Sequence, residues 1–75
     1  MKNDIQQIFN RGDFIMNKNP YNGEGEYLIV DLDYNGTEWY GYKCARMKGK
    51  YVMQHDLNNH EIIDKWHQQN YTIVG

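Results

Sequence analysis

Three stretches of the chain are rich in apolar and aromatic side chains at the spacing of β-strands. The clearest covers residues 26–33, and the Asn-Gly pair at 35–36 joins it to an aromatic stretch at about 37–47. A tight turn at 48–49 leads into the third stretch, residues 51–55. Because these connections are short, we expect a three-stranded antiparallel meander.

Helical spacing is found on either side of this meander. Apolar side chains in residues 3–10 fall on one helical face, and those in residues 57–70 recur at intervals of three and four. Two further short strands are predicted at 14–16 and 71–74, and the Asn, Pro and Gly content of residues 17–25 predicts a loop. The predicted order is α-β-β-β-β-α-β.

This order predicts an α+β fold of one domain, residues 1–75. We expect a small, strongly bent antiparallel β-meander or an SH3-like, partly open barrel of about five strands. A short N-terminal helix precedes the strands, and a second helix precedes the last strand.

The register of the central hairpin assigns side chains to its two faces. A three-residue turn of Tyr34, Asn35 and Gly36, with Gly36 left-handed, places Leu28 opposite Tyr42. The inner, core face then carries Leu28, Val30, Tyr40, Tyr42 and Cys44. The outer face carries Tyr27, Ile29, Asp31, Asp33, Trp39 and Lys43.

Size and cysteine content restrict the class of protein. A chain of 75 residues has room for one hydrophobic core. Its single cysteine, Cys44, excludes an internal disulfide and fits a reducing compartment. The opening residues are too polar for a signal peptide, and no apolar run approaches the length of a membrane span. We therefore expect a cytoplasmic protein that does not associate with membranes.

The candidate chemistry argues against an enzyme. Serine is absent, and the only thiol is expected in the core. His60, Asp64 and His67 share one face of the predicted second helix at a spacing that suits a metal, but a solvated helix face explains them better. We expect no catalytic residues, no metal and no cofactor.

The aromatic content points to binding instead. Tyrosine, tryptophan and phenylalanine make up 15% of the chain, and tyrosine and tryptophan are enriched where proteins meet. An exposed aromatic strip with an acidic border predicts a protein-binding face. Its predicted residues are Glu26, Tyr27, Ile29, Asp31, Asp33 and Trp39. The alternative interpretation is that these aromatic side chains cover the second side of a thin sheet.

The short length and the bias towards Asn, Lys, Tyr and Ile resemble those of accessory proteins of phages and mobile elements from A+T-rich bacteria. This resemblance implies a protein that binds and inhibits a host enzyme or a defence complex. If that target acts on nucleic acid, the acidic strip would occupy a groove that normally holds phosphates.

Two other interpretations stay open. The formal net charge is −2, which argues against general nucleic-acid binding. Even so, the hairpin over residues 43–50 carries four cations that could contact phosphates in a small β-barrel: Lys43, Arg46, Lys48 and Lys50. The third interpretation is a homo-oligomer formed by pairing of edge strands.

Overall fold

The computed structural model of the chain describes residues 5–19, 25–48, 51–52 and 57–74, without the side chains of Lys48, Tyr51 and Val52. Its regular structure is almost entirely β. In chain order the elements are β1 Phe14–Asn17, β2 Glu26–Asn35, β3 Glu38–Lys48, β4 Tyr51–Val52, β5 Glu61–Asp64, a 3-10 helix Lys65–Asn70 and β6 Tyr71–Ile73.

The strands form a small, open antiparallel sheet. Five of them follow the path β4-β3-β2-β1-β6, and β5 pairs with β3 beside this path. In the described part of the chain β6 pairs with β1 alone, so the sheet does not close. The 3-10 helix carries the chain from β5 to β6 in only six residues. At a rise of about 2 Å per residue, the two strands must approach each other within roughly 14 Å, which requires a bent sheet.

A β-bulge at Val30 reverses the alternation of side chains along β2. Ile29 lies opposite Cys44, whereas Asp31 lies opposite Lys43, so Val30 has no partner of its own. An unpaired extra residue moves every following side chain to the other face.

A second bulge, at Tyr40, does the same in β3. Asp33 lies opposite Gly41, but Tyr34 lies opposite Trp39. As a result, Trp39 packs against the core although Tyr40 was predicted to do so. The hairpin register predicted from the sequence was therefore wrong.

The hairpin turn is also shorter than predicted. Asn35 pairs with Glu38, which leaves Gly36 and Thr37 as a two-residue turn. Gly36 has a φ of 68°, which confirms its left-handed conformation. A positive φ at only the first central residue is the pattern of a type II′ turn, which suits the twist of a hairpin.

The core lies on the inner side of the bent sheet. Its buried hydrophobic side chains are Phe9, Ile15, Tyr27, Ile29, Tyr42, Cys44 and Ile63, with Leu32, Trp39 and Tyr71 packed against them. Tyr42 and Cys44 were predicted there. Leu28, Val30 and Tyr40 are only half-buried, and Tyr27 and Ile29 take the inner positions instead.

Neither predicted helix forms as expected. Residues 5–10 are irregular, and the rest of the predicted first helix lies outside the described residues. Within the predicted second helix, residues 61–64 form β5 instead, because pairing with β3 outweighs their helical periodicity. A 3-10 helix follows, so the structure is β-rich rather than α+β with two helices.

The structure contains strands at the positions of the short predicted strands. Those at 14–16 and 71–74 are confirmed as β1 and β6, and the strand at 51–55 is seen as β4 at Tyr51–Val52. Residues 53–55 lie outside the described residues, as do residues 20–24 of the predicted loop.

A buried polar network fastens the irregular N-terminal segment to the sheet. The Tyr42 hydroxyl accepts hydrogen bonds from the backbone N–H groups of Ile8 and Phe9, each at 3.2 Å, and donates to the Gln68 side-chain oxygen. The Gln68 amide in turn donates to the Gln6 carbonyl at 2.7 Å. A buried polar group without a hydrogen bond is costly. In place of a helix, this network therefore supplies hydrogen-bond partners to backbone groups of the N-terminal segment.

Candidate functional site

The predicted acidic and aromatic face is not one continuous surface. Tyr27 and Ile29 are buried in the core, which corrects their assignment to the outer face. The Val30 bulge is the reason, since it turns the residues before it inward and leaves Asp31 and Asp33 on the outer side.

Tyr27 belongs to a structural cluster at the inner edge of the sheet. Its hydroxyl donates to Glu61 at 3.3 Å, and the Arg46 guanidinium lies 5.6 Å from the centre of its ring. Desolvation by burial, aided by the Glu61 carboxylate, raises the pKa of Tyr27 from 10.0 to about 12. A buried, neutral phenol of this kind stabilises the fold and is not available to a partner.

Trp39 is likewise held against the core rather than presented to solvent. Its indole N–H donates to the Gly41 carbonyl at 2.7 Å, and its ring meets Tyr42 edge-on with centroids 5.5 Å apart. The remaining member of the predicted face, Glu26, lies seven residues from Asp33 along β2, or about 23 Å for an extended strand. Glu26 and Asp33 therefore lie at opposite ends of this strand.

Gly41 allows β5 to lie directly against β3 beside these residues. A Cβ atom at Gly41 would come within 2.3 Å of the Ile63 carbonyl oxygen and 2.7 Å of the Asp64 Cα. Only glycine permits this approach. It positions the 3-10 helix, which begins at the end of β5, next to the hairpin.

Two of the exposed aromatic side chains lie at this end of the hairpin. Tyr34 is 55% exposed and Trp66, on the 3-10 helix, is 53% exposed. The half-buried Tyr40 meets the Trp66 ring edge-on, with centroids 5.6 Å apart and planes at 78°. The residues Asp33, Tyr34, Asn35 and Tyr40 line a shallow groove here. With Trp66 they form what we call the hairpin-end surface.

The helix that carries Trp66 is firmly capped. The Asp64 carboxylate accepts a hydrogen bond from the backbone N–H of His67 at 3.0 Å and contacts its ring Nδ1 at 2.8 Å. Such a cap satisfies a helix N–H group that would otherwise lack a partner. Trp66 therefore projects from a defined position.

Lys65 packs among the aromatic rings at the same end. Its ammonium lies 5.9 Å from the centre of the Trp39 ring and 5.3 Å from that of Trp66, and it forms an ion pair with Glu38 at 3.1 Å. The Lys65 side chain is only 14% exposed. Cation–π attraction and one carboxylate thus hold an ammonium group between two tryptophans.

Of the four cations of the alternative nucleic-acid site, the two whose side chains the structure describes, Lys43 and Arg46, do not form a patch. Lys43 and Arg46 lie on opposite faces of β3, because an odd number of positions separates them. Arg46 is paired with Glu61 at 3.0 Å, and Lys43 lies opposite Asp31. The Lys48 side chain and Lys50 lie outside the described part of the structure.

The candidate chemical groups have structural roles. Burial, followed by the nearby Glu61 charge, raises the pKa of the Cys44 thiol from 9.0 to about 12, as expected for a core thiol. His60, Asp64 and His67 do not share a helix face, since Asp64 ends β5 and caps the helix. In residues 5–19, 25–48, 51–52 and 57–74, no three His, Cys, Asp or Glu side chains are grouped to hold a metal ion.

Four of the five residues of the hairpin-end surface, all but Asp33, were missed from the sequence. Trp66 lies within residues 57–70, where the predicted helix does not form. Tyr34 and Asn35 were placed inside the turn, and Tyr40 was placed in the core. The available signal was Gly41, since a glycine within a strand marks a bulge or a close backbone approach.

Two other apolar side chains, Phe14 and Met16, are exposed on the outer side of β1, which pairs with the end of β2 away from the hairpin turn. Glu26 lies opposite Met16, but neither Phe14 nor Met16 lines the groove. Ile73 of β6 is also exposed, on the face that it shares with Ile15.

Within the described residues, no helix is both long enough and apolar enough to cross a membrane. Comparison of the chain with protein-family models found no match, and comparisons with curated proteins and with solved structures found none either.

Proposed function

We propose that this protein is a non-enzymatic binding module that docks onto another protein through its hairpin-end surface. The observation that carries this proposal is the pair of large aromatic side chains, Tyr34 and Trp66, that remain more than half exposed beside a groove. Tyrosine and tryptophan are the residues that most often dominate binding energy at protein interfaces.

The surface is also preorganised for binding. Tyr40 contacts Trp66, and the helix beneath Trp66 is capped by Asp64. Side chains that are already ordered lose less conformational entropy when a partner arrives. A small scaffold can therefore support useful affinity with few contacts.

We place the fold with SH3-like, partly open barrels. Three features support this: a long central hairpin, a 3-10 helix before the last strand, and antiparallel pairing of β1 with β6. In such folds the binding surface lies beside loops and helix ends, as the hairpin-end surface does here.

The biological setting that we propose is that of a cytoplasmic phage or mobile-element protein that inhibits a host enzyme or defence complex. Its free, buried cysteine fits a reducing compartment. The outer positions of Asp31 and Asp33 fit a target whose own surface is basic, such as an enzyme that acts on nucleic acid.

Capture of partners from a lysate of the source organism or its host, by the tagged chain at low and high salt, tests the proposal. The wild type should retain a stoichiometric protein, and Trp66→Ala should weaken its binding by at least about 10-fold, as for an interface hot spot. Phe14→Ala, at a comparably exposed position of β1, should leave binding unchanged.

Two outcomes would contradict the proposed function. One is equal retention of the partner by the wild type and by Trp66→Ala. The other is recovery of nucleic acid alone, lost on nuclease treatment, which would favour the basic residues of β3 instead.

A further inference from the structure

The groove of the hairpin-end surface has the chemistry of a site for an organic cation. Two of its four residues, Tyr34 and Tyr40, are aromatic, Asn35 offers an amide, and Asp33 supplies a carboxylate. None of them is a lysine or an arginine. The negative face of an aromatic ring attracts cations, so the rings and the carboxylate act in the same direction.

The charge of Asp33 is not used within the fold. Among the described residues its carboxylate takes part in no ion pair and accepts no hydrogen bond, whereas Asp31 on the same strand has Arg11 at 3.9 Å. Asp33 is half-buried, and the attraction between a carboxylate and a cation is stronger at such a position than in bulk water.

Lys65 provides an example of such binding next to the groove. Its ammonium is held by the rings of Trp39 and Trp66 and by the Glu38 carboxylate. Since Glu38 neutralises Lys65, the bound ammonium does not leave an unbalanced positive charge to repel a second cation. Trp66 also contacts Tyr40, which lines the groove.

Resting on the proposed function, we infer that this groove receives an arginine side chain from a basic segment of the protein partner. The planar guanidinium stacks on tyrosine rings and can bind a carboxylate with two parallel hydrogen bonds. Lysine would gain the charge interaction with Asp33 but less of the stacking. The net charge of −2 also favours approach of a basic segment.

The test uses two peptides that differ only in charge. The isotope-labelled protein is titrated with an acetylated and amidated Gly-Gly-Arg-Gly-Gly peptide and with the same peptide carrying citrulline, a neutral analogue of arginine. We expect saturable NMR shifts at the backbone amides of Tyr34, Asn35 and Tyr40 and at the Trp66 indole for the arginine peptide only. A single side chain should bind with a dissociation constant on the order of 1 mM.

Two variants keep this test specific. Asp33→Asn should weaken binding of the arginine peptide by about 3- to 10-fold, the effect of one ion pair with cation–π support. Glu26→Gln makes the same change of charge at the far end of β2 and should have no effect. Unchanged chemical shifts of core residues such as Tyr42 would verify that each variant is folded.

The inference is overturned if both peptides shift the same amides equally, or if Asp33→Asn and Glu26→Gln weaken binding alike. It is also overturned if no saturable shift appears at the groove. These results differ from a failure of the proposed function, because a captured partner whose binding depends on Trp66 but not on Asp33 would leave the proposed function standing.

Discussion

Tyrosine side chains have opposite roles in two regions of this small sheet. In the central part of the sheet, Tyr27 of β2 and Tyr42 of β3 are buried. Their hydroxyls are hydrogen-bonded to other elements of the fold. At the turn end of the hairpin, the Tyr34 and Tyr40 hydroxyls have no hydrogen-bond partner among the described residues, and both residues line a surface groove.

The difference shows how one inserted residue separates buried from exposed positions of the same strand. A bulge changes which side of a strand faces the core, so the same alternating sequence can supply core residues before it and surface residues after it. The aromatic content of the chain therefore cannot be assigned to the core or to an interface as a whole. Substitutions in the two regions should therefore differ in the property that they change: stability in the first region and the surface in the second.

The largest effect on stability is expected from Gly41→Ala, which would separate β5 from β3. Its Cβ would lie 2.3 Å from the backbone oxygen of Ile63, which cannot move without breaking the β3–β5 pairing. We expect a loss of about 3 kcal/mol or more in the free energy of unfolding, measured by urea denaturation.

Gly36→Asn is the matched control for this substitution. Nothing lies within 4 Å of an added Cβ at Gly36, so the cost of this substitution comes only from its positive φ of 68°. We expect a loss of about 1 to 2 kcal/mol, smaller than that of Gly41→Ala. Equal losses in the two variants would show that β5 does not rest against Gly41.

Alkaline pH should lower the free energy of unfolding, because it ionises two buried groups of the core. The pKa of Cys44 is raised from 9.0 to about 12 and that of Tyr27 from 10.0 to about 12, so the folded state favours the neutral forms. Below pH 9 the thiol and the phenol are protonated in both the folded and the unfolded state, so the stabilisation from the raised pKa values is fully present. It is lost as the pH rises towards 12, because the two groups ionise first in the unfolded chain. We expect the free energy of unfolding to fall by roughly 1 to 2 kcal/mol per pH unit for each group, measured as a falling urea midpoint.

The variant Cys44→Ala distinguishes the contribution of the thiol to this pH dependence from that of the Tyr27 phenol. The variant should be less stable at neutral pH, because it leaves a cavity, but its stability should fall less steeply from pH 9 upward. A wild-type stability that does not change between pH 8 and 11 would contradict the burial of both groups.

A smaller effect is expected for Tyr42→Phe, which removes only the hydroxyl at the centre of the polar network. The backbone N–H groups of Ile8 and Phe9 would lose their shared acceptor. We expect a loss of about 1 to 3 kcal/mol and faster hydrogen exchange at these two amides.

Tyr40→Phe tests the comparison from the other side. Its hydroxyl has no partner in the described residues, so its removal should change stability by less than about 0.5 kcal/mol. A loss as large as that of Tyr42→Phe would mean that the two regions do not differ in the way described.

The sequence alone was sufficient for the local features that depend on neighbouring residues. The hairpin, the left-handed Gly36, the short strands β1 and β6, and the burial of Tyr42 and Cys44 all follow from turn chemistry and alternation. It was insufficient for features that depend on contacts distant in the chain. Residues 61–64 have helical periodicity but become β5 because an edge of β3 is free to pair with them.

The candidate site could not be predicted for the same reason. Its formation requires the Tyr40 bulge and the passage of β5 over Gly41, which together bring Trp66 beside the hairpin. Of the predicted face, only Asp33 belongs to the hairpin-end surface, and Asp31 lies near it. The predicted core face failed at Val30, where nothing in the apolar sequence marks the extra residue.

The most direct test of the hairpin-end surface is site-specific photo-crosslinking in lysate. Tyr34 is replaced by p-benzoylphenylalanine in one sample and Phe14, which is also exposed, in another. We predict that the side chain at position 34 crosslinks to a distinct protein and that the one at position 14 does not. A crosslink from position 14 alone, or none from either position, would contradict the assignment of this surface as the site of binding.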